Sequence, residues 1–446
     1  MPEILLAAYD EVDITPPLGG SMPGYFRDRQ ATGVLDPLKA KVLYLSQGMN
    51  SVALVACDLI GVPGPLVRRI REATTKTCRT PPRFIFVHGT HTHTGGMVPR
   101  AGTFTSDAET IYPGFYAGQV DEKWVQHMVD GIAAAIRLAI GRAREEKRFT
   151  LHTGRETTVA HYRRYQMKDG TVRTNPGRNN SNVVRPAGQI DPRLHVLRFE
   201  AAKIVAVIFG VHPDCVSGTR YSADYPHHVT ETIRQALGND WRVIFLNACC
   251  GNINHIDINN AKQRSGPDEA RRIGERLGVV AVGALQEGQP VALEPLRAAT
   301  REVVCRLRRP TAEDLKQAEE LLRNPNDPKR NPFGFNELYA PAAVVLARTK
   351  DREQRAEIAA LRLGSFGLAF MPGEIFVELG REVEEASPWR PTRTIGLANG
   401  ALGYIPTRRG YAEGGYEAGY RSARYEPDTG HRWAQTAAEL LKEMGK

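Results

Sequence analysis

Three imidazoles occupy six positions in the stretch His88-Gly89-Thr90-His91-Thr92-His93-Thr94-Gly95-Gly96. Imidazole is the side chain best suited both to hold a transition metal and to move a proton near neutral pH. The preceding residues, Arg83-Phe84-Ile85-Phe86-Val87, follow Pro81-Pro82 and are rich in β-branched and aromatic types, so they read as a buried strand spilling into a loop. Side chains alternate along such a segment, which puts His91 and His93 on one face and Thr92 on the other. Two ring nitrogens on one side of a stiff backbone make half of a metal site.

Other reactive groups stand where further apolar runs end. Ile204–Phe209 leads into Gly210-Val211-His212-Pro213-Asp214, and Phe366–Phe370 into Met371-Pro372-Gly373-Glu374. Val243–Leu246 leads into Asn247-Ala248-Cys249-Cys250-Gly251-Asn252-Ile253-Asn254-His255, a small polar tail suited to donating backbone N–H groups. Thr394–Leu397 precedes Asn399-Gly400-Ala401-Leu402-Gly403-Tyr404. Singly, each residue has a plain structural reading, since a Glu after Pro-Gly is usually a surface acid. Together they supply two nitrogens, a carboxylate and room for water, the donor set of a catalytic zinc ion. Asp58 and Asp224 could support such a site or cap a helix.

The elements that must position these groups alternate in type. Strands are expected over 41–45 and 52–58, as a hairpin over 194–199 and 204–209, and as a second hairpin over 358–362 and 366–370. Helices are expected over 65–74, over 121–145 with Trp124, Met128, Ile132, Ile136 and Ile140 on one face, over 225–238, from about 267 to 286, after Thr311, and over 432–444. The glycine-rich loop Gly19–Tyr25 can approach another backbone closely. Tyr112, Phe115 and Tyr116 lie in a loop that could line a pocket, and the proline-rich segment 324–336 resembles a surface connection. The fold class expected is α/β with mixed α+β character, central mixed sheets flanked by helices. With no internal repeat and no boundary in view, residues 1–446 read as a single domain.

Composition narrows the function classes. The 446 residues are 41% hydrophobic and 24% charged, ordinary for a globular protein, and no apolar run approaches the roughly 18 residues that span a bilayer. The net charge of +9 is spread over short clusters rather than a basic stripe, which argues against nucleic acid and leaves an anionic substrate open. Six cysteines in mostly apolar segments suit reduced thiols. The N-terminus has no signal-peptide pattern, so a cytoplasmic protein without stable membrane insertion is expected, with homo-oligomerisation left open.

In order along nearly the whole chain, Asp13-Ile14-Thr15-Pro16-Pro17, Thr90-His91-Thr92-His93-Thr94-Gly95-Gly96, His212-Pro213, Pro372-Gly373-Glu374, and Tyr404 with Tyr416-Glu417 resemble the catalytic domain of the neutral/alkaline ceramidases. The resemblance implies a Zn2+ ion held by His91, His212, Glu374 and Tyr404. It implies substrate contacts from His93, Arg163 and Tyr416. Two departures qualify it. Asn254 stands where the family places an essential serine, and neither a C-terminal immunoglobulin-like domain nor a secretion signal is found.

The expectation is therefore a zinc-dependent hydrolase acting on an amide, less readily an ester or lactone, in a small soluble substrate rather than on ceramide. The catalytic candidates are His93, as a proton shuttle, Tyr404, as ligand or hydrogen-bond donor, and Asn254, in support of developing negative charge. Arg163 would orient a carboxylate or carbonyl. Two histidines and a carboxylate are also the facial triad of non-haem iron oxygenases, and a ligand-binding protein that keeps the fold without turnover is the third reading.

Overall fold

The computed structural model describes residues 4–25, 28–75, 78, 80–99, 118–291, 295–323 and 336–445. Tyr112, Phe115, Tyr116 and nearly all of the proline-rich segment lie outside them. Three sheets organise the chain, and each is built by the same sequence of moves.

In the first, the strands Leu5–Asp13, Lys39–Gln47 and Asn50–Cys57 form an antiparallel meander. The helix Gly64–Thr75 then carries the chain over one face so that Ile85–Gly89 adds parallel to Asn50–Cys57. A second helix, Glu122–Gly141, covers the same face, capped by Asp121, whose carboxylate accepts from the Lys123 and Trp124 amides. The second sheet repeats this pattern with Phe149–Arg155, Arg193–Phe199, Ile204–Phe209, the helix Tyr225–Leu237, the parallel strand Arg242–Asn247 and the helix Pro267–Ala284. The third does so with Leu296–Arg306, Glu353–Leu363, Phe366–Phe370, the helix Val377–Ala386, the parallel strand Thr392–Ile395 and the helix Thr429–Glu443. The expected absence of a repeat is thus corrected at the level of topology. The three units share connections but not residues, because each packs against different neighbours.

Strand alternation divides the apolar residues between two layers. One face of every sheet points to a shared centre, where Leu45, Leu54 and Phe86 meet Phe199, Ile208 and Leu246 and also Leu361, Leu368 and Phe370. The opposite faces take the helices: Val42 and Val55 pack with Ile70, Val129 and Ile132, while Val207 and Phe245 pack with Val229 and Leu277.

The three parallel strands end side by side. Ala248 bridges to Ile395 and His88 to Ala398. His88 Nδ1 donates to the Gly396 carbonyl at 2.9 Å, and Nε2 accepts from the Asn247 amide at 3.1 Å. One buried imidazole therefore ties all three units together. Burial holds it neutral, with its pKa pushed down to about 4. The carboxyl ends of the parallel pairs consequently open toward one region, the usual location for ligands in open sheets containing parallel strands.

Candidate metal centre

The strand before the histidines begins at Ile85, two residues later than expected, because Pro82–Phe84 forms a single 3-10 turn. It ends at Gly89, so strand alternation does not place His91 and His93. His91 instead adopts φ +82°, a left-handed conformation that costs a non-glycine residue about 1–3 kcal/mol and is held by its surroundings. Its amide donates to the Leu59 carbonyl at 2.9 Å, and its Nδ1 donates to the Ile60 carbonyl at 2.6 Å. The chain reverses there, and the rings of His91 and His93 meet edge to face with centroids 5.0 Å apart. Gly24, at φ +106°, lies against this turn so closely that a Cβ there would sit 2.7 Å from the His93 carbonyl oxygen. The expected close approach of the glycine loop is realised at that position.

His212 follows its strand by three residues and is fixed by the tail of the next one. Its Nδ1 donates to the carbonyls of Cys250 at 2.7 Å and Ile253 at 3.1 Å. Glu374 and Tyr404 are direct partners in a short parallel ladder, Glu374–Ile375 beside Tyr404–Ile405. Gly251 packs beneath Glu374, where a Cβ would fall 2.4 Å from the Glu374 carbonyl oxygen.

These constraints aim four side chains at one point. Glu374 Oε2 lies 3.2 Å from His91 Nε2 and 3.2 Å from His212 Nε2. Tyr404 Oη lies 3.2 Å from His212 Nε2. The ring nitrogens of His91, His93 and His212 also fall within 4.8 Å of one another, a spacing that could hold a metal ion. Either Glu374 or His93 could therefore supply the third strong donor. The carboxylate has the closer approach to both imidazoles, and His93 Nε2 is buried without a hydrogen-bond partner.

The electrostatics fit a cation. Because Nδ1 of His91 and of His212 donates to carbonyls, both Nε2 lone pairs face a carboxylate oxygen, an arrangement that needs a proton or a cation between the donors. Burial pulls the His91 pKa down, but the Glu374 carboxylate outweighs it and the net shift is upward. Burial pushes Glu374 up, yet His91 and His212 bring it well below the usual carboxylate range. Burial, then Arg163, lowers His212. For His93, burial and the neighbouring His91 press the pKa to about 3. That corrects the expectation of a shuttle titrating in the working range, since this imidazole is held neutral. Burial and the Glu374 charge raise Tyr404 well above a normal phenol despite the opposing Arg163, so its hydroxyl stays protonated.

Arg163 reaches the cluster but is mostly committed elsewhere. Its Nε donates to Glu417 Oε1 and its Nη2 to the Gly251 carbonyl, both at 2.7 Å, while Nη1 lies 3.5 Å from His212 Nε2. The Tyr416 ring meets Tyr404 edge on, with centroids 5.4 Å apart. The Asn254 side chain is engaged away from the cluster: it donates to Asn175 Oδ1 at 3.0 Å and accepts from the Ile256 amide at 3.1 Å, tying the long polar loop to the tail. Asp224 caps its helix by accepting from the Tyr225 amide and also accepts from the Val216 amide. Asp58 accepts from the Lys39 amide and the Thr90 hydroxyl.

Two supports were not assigned from sequence. Glu417 is buried between Arg163, Arg164 and the Thr174 hydroxyl, and its signal was the adjacent Arg163-Arg164 pair, since two interior guanidinium groups require an anion. Asp214 pairs with His255 at 2.9 Å. Neither pattern nor spacing links residues so far apart in the chain.

No family model and no curated protein matches the sequence. The fold does match solved structures. The neutral ceramidase from Pseudomonas aeruginosa superposes with a TM-score of 0.74 at 19% identity, covering 99% of this chain and 74% of that one. A structure described as ceramidase complexed with C2 gives 0.72 at 18% identity, covering 99% and 75%. The chain thus has the mixed α/β fold of a neutral ceramidase-like catalytic domain.

Proposed function

We propose that residues 1–446 act as one zinc-dependent hydrolase unit that cleaves the amide bond, less readily an ester or lactone, of a small soluble substrate. The observation that carries this reading is the convergence of His91 Nε2, His212 Nε2 and Glu374 Oε2 at 3.2 Å separations, with the Tyr404 hydroxyl beside them. In this reading those four residues hold the ion. When bound, zinc supplies Lewis-acid polarisation of a carbonyl and acidifies water. The structural neighbours bear the name ceramidase, and ceramide is an amide.

The remaining work falls to the chain. The Tyr404 hydroxyl, 3.2 Å from His212 Nε2, stands where it can donate a hydrogen bond to the oxygen that gains negative charge. His93 offers a neutral Nε2 lone pair to a substrate N–H or to the attacking water. Arg163 Nη1 adds a fixed positive charge, and its other donors lock its orientation. The Tyr416 ring closes the Tyr404 side of the site. Asn254, engaged with Asn175 and Ile256, acts as a positioning residue here. No helix among the described residues is long and apolar enough to cross a membrane. A panel of N-acyl compounds graded by acyl length, offered to zinc-loaded protein, tests the proposal. Hydrolysis of the short members is expected, and silence across the panel with zinc bound would leave the ligand-binding reading instead.

A further inference from the structure

A row of rings runs from the metal centre to the surface. His91 meets His212 edge to face with centroids 4.6 Å apart and meets His93 in the same way at 5.0 Å, and His93 in turn meets the Tyr25 ring edge to face at 5.8 Å. Burial falls along the row: His212 and His91 are buried, His93 is half-buried, and Tyr25 is 43% exposed. Among the described residues, no other aromatic side chain stands so far out of the protein. A single exposed ring is unremarkable when it is loose and remote from a site. Tyr25 is neither.

Arg29 stacks on one face of it, with the guanidinium carbon 4.3 Å from the ring centroid. The same guanidinium donates to the Gly218 carbonyl through Nη1 and to the His93 carbonyl through Nη2, both at 2.6 Å, and also to the Pro23 carbonyl. One fixed cation therefore anchors the Tyr25 ring and the His93 backbone together. Pro23 and Gly24, immediately before Tyr25, line the cavity of about 210 Å³ beside His91 and Glu374. Tyr25 thus stands where that cavity reaches the surface, and a ring already held in place gives a ligand contact area without first having to be ordered.

We propose that Tyr25 determines specificity, its ring receiving a neutral apolar group, best an aromatic one, carried on the nitrogen of the substrate amide. The placement rests on the hydrolase reading, in which His93 faces that nitrogen, so the group attached there continues outward along the row of rings. An aromatic group meets a tyrosine ring edge on or offset and gains more than the buried area alone supplies. Cleavage releases this group with the amine: the oxygen of water bonds to the acyl carbon, the C–N bond breaks, and the nitrogen takes a proton from that water.

The test uses two isomeric amides on zinc-loaded protein, N-phenethylacetamide with its phenyl group on the nitrogen side and N-methylhydrocinnamamide with it on the acyl side. Calorimetry reads affinity, and release of free amine reads hydrolysis. Tyr25→Ala is expected to weaken the first amide roughly 10-fold and the second by less than about 2-fold, the scale of one lost aromatic contact with the area it buries. Tyr25→Phe should keep the affinity for the first amide and Tyr25→Leu should lose part of it, and this pair carries the test if the alanine variant does not fold. Equal weakening of both isomers, which a merely structural role predicts, would overturn the proposal. So would unchanged affinity for the first amide, or binding of neither by the unaltered protein. Selective weakening of the first amide with hydrolysis of neither would count against the hydrolase reading while upholding this one. Hydrolysis of both with equal losses of affinity would do the reverse.

Discussion

His91 Nε2 and Glu374 Oε2 lie 3.2 Å apart, although the imidazole leaves the first sheet and the carboxylate leaves the third. Between them they hold a proton more tightly than a free imidazole does, and a cation must displace it. His93 and His212, both shifted downward, have no proton to give up at neutral pH. Zinc binding is therefore expected to release the proton held between His91 and Glu374, with affinity rising as pH rises until that proton is lost. Calorimetry in buffers of different ionisation enthalpy measures the proton count. Release of two or more would mean that His93 or His212 is also protonated before binding.

Ligand and neighbour separate by substitution. Glu374→Ala is expected to leave the protein with little zinc after dialysis, whereas His93→Ala should keep a full equivalent and lose turnover about 100-fold or more. The opposite pattern would make His93 the third ligand and Glu374 a bystander, the other grouping that the spacing of the imidazoles permits.

Glu417 is buried with Arg163 and Arg164 both bonded to it. Glu417→Gln leaves two interior guanidinium groups without their anion, and a loss of about 3–5 kcal/mol in unfolding free energy is expected. Because Arg163 faces His212, turnover should fall as well in whatever fraction remains folded. Chemical denaturation measures the loss, and a value under about 1 kcal/mol would show that the network is dispensable.

Burial pushes Asp58 from 3.8 up to about 6. The folded state thus holds this proton more tightly than the unfolded chain. Below pH 4 both states are protonated and nothing is lost; between roughly pH 4 and pH 6 the unfolded chain ionises first, and stability falls as pH rises; above that the loss is constant. Relative to Asp58→Asn, the unaltered protein should lose on the order of 2–3 kcal/mol between pH 4 and pH 7. Urea midpoints at several pH values check it, and parallel curves for the two proteins would contradict it.

The amphipathic helix from Glu122 and the hairpins at 194–209 and 358–370 were legible because their periodicity is local and their faces are buried as the pattern requires, although the first strand of the second hairpin begins earlier, at Glu353. The donors of the cluster were legible because they stand at strand exits. What could not be read was longer in range. The threefold recurrence of topology leaves no residue pattern, and the role of His88 depends on Asn247 and Gly396 from the other two units. His91 and His93 were brought together for a reason other than the one strand alternation supplied: a left-handed residue, held by Leu59 and Ile60, turns the chain. His93 looked like a proton shuttle because its environment, which sets its pKa, is not written in its neighbours along the chain.

Titration of zinc into chelator-stripped protein, with amide hydrolysis followed at each addition, tests the central claim most directly. Activity should be absent without metal, rise in proportion to zinc, and level off at about one equivalent as the single site fills. Activity that persists after stripping, or that returns with iron and dioxygen but not with zinc, would contradict the assignment of this cluster as a hydrolytic zinc centre.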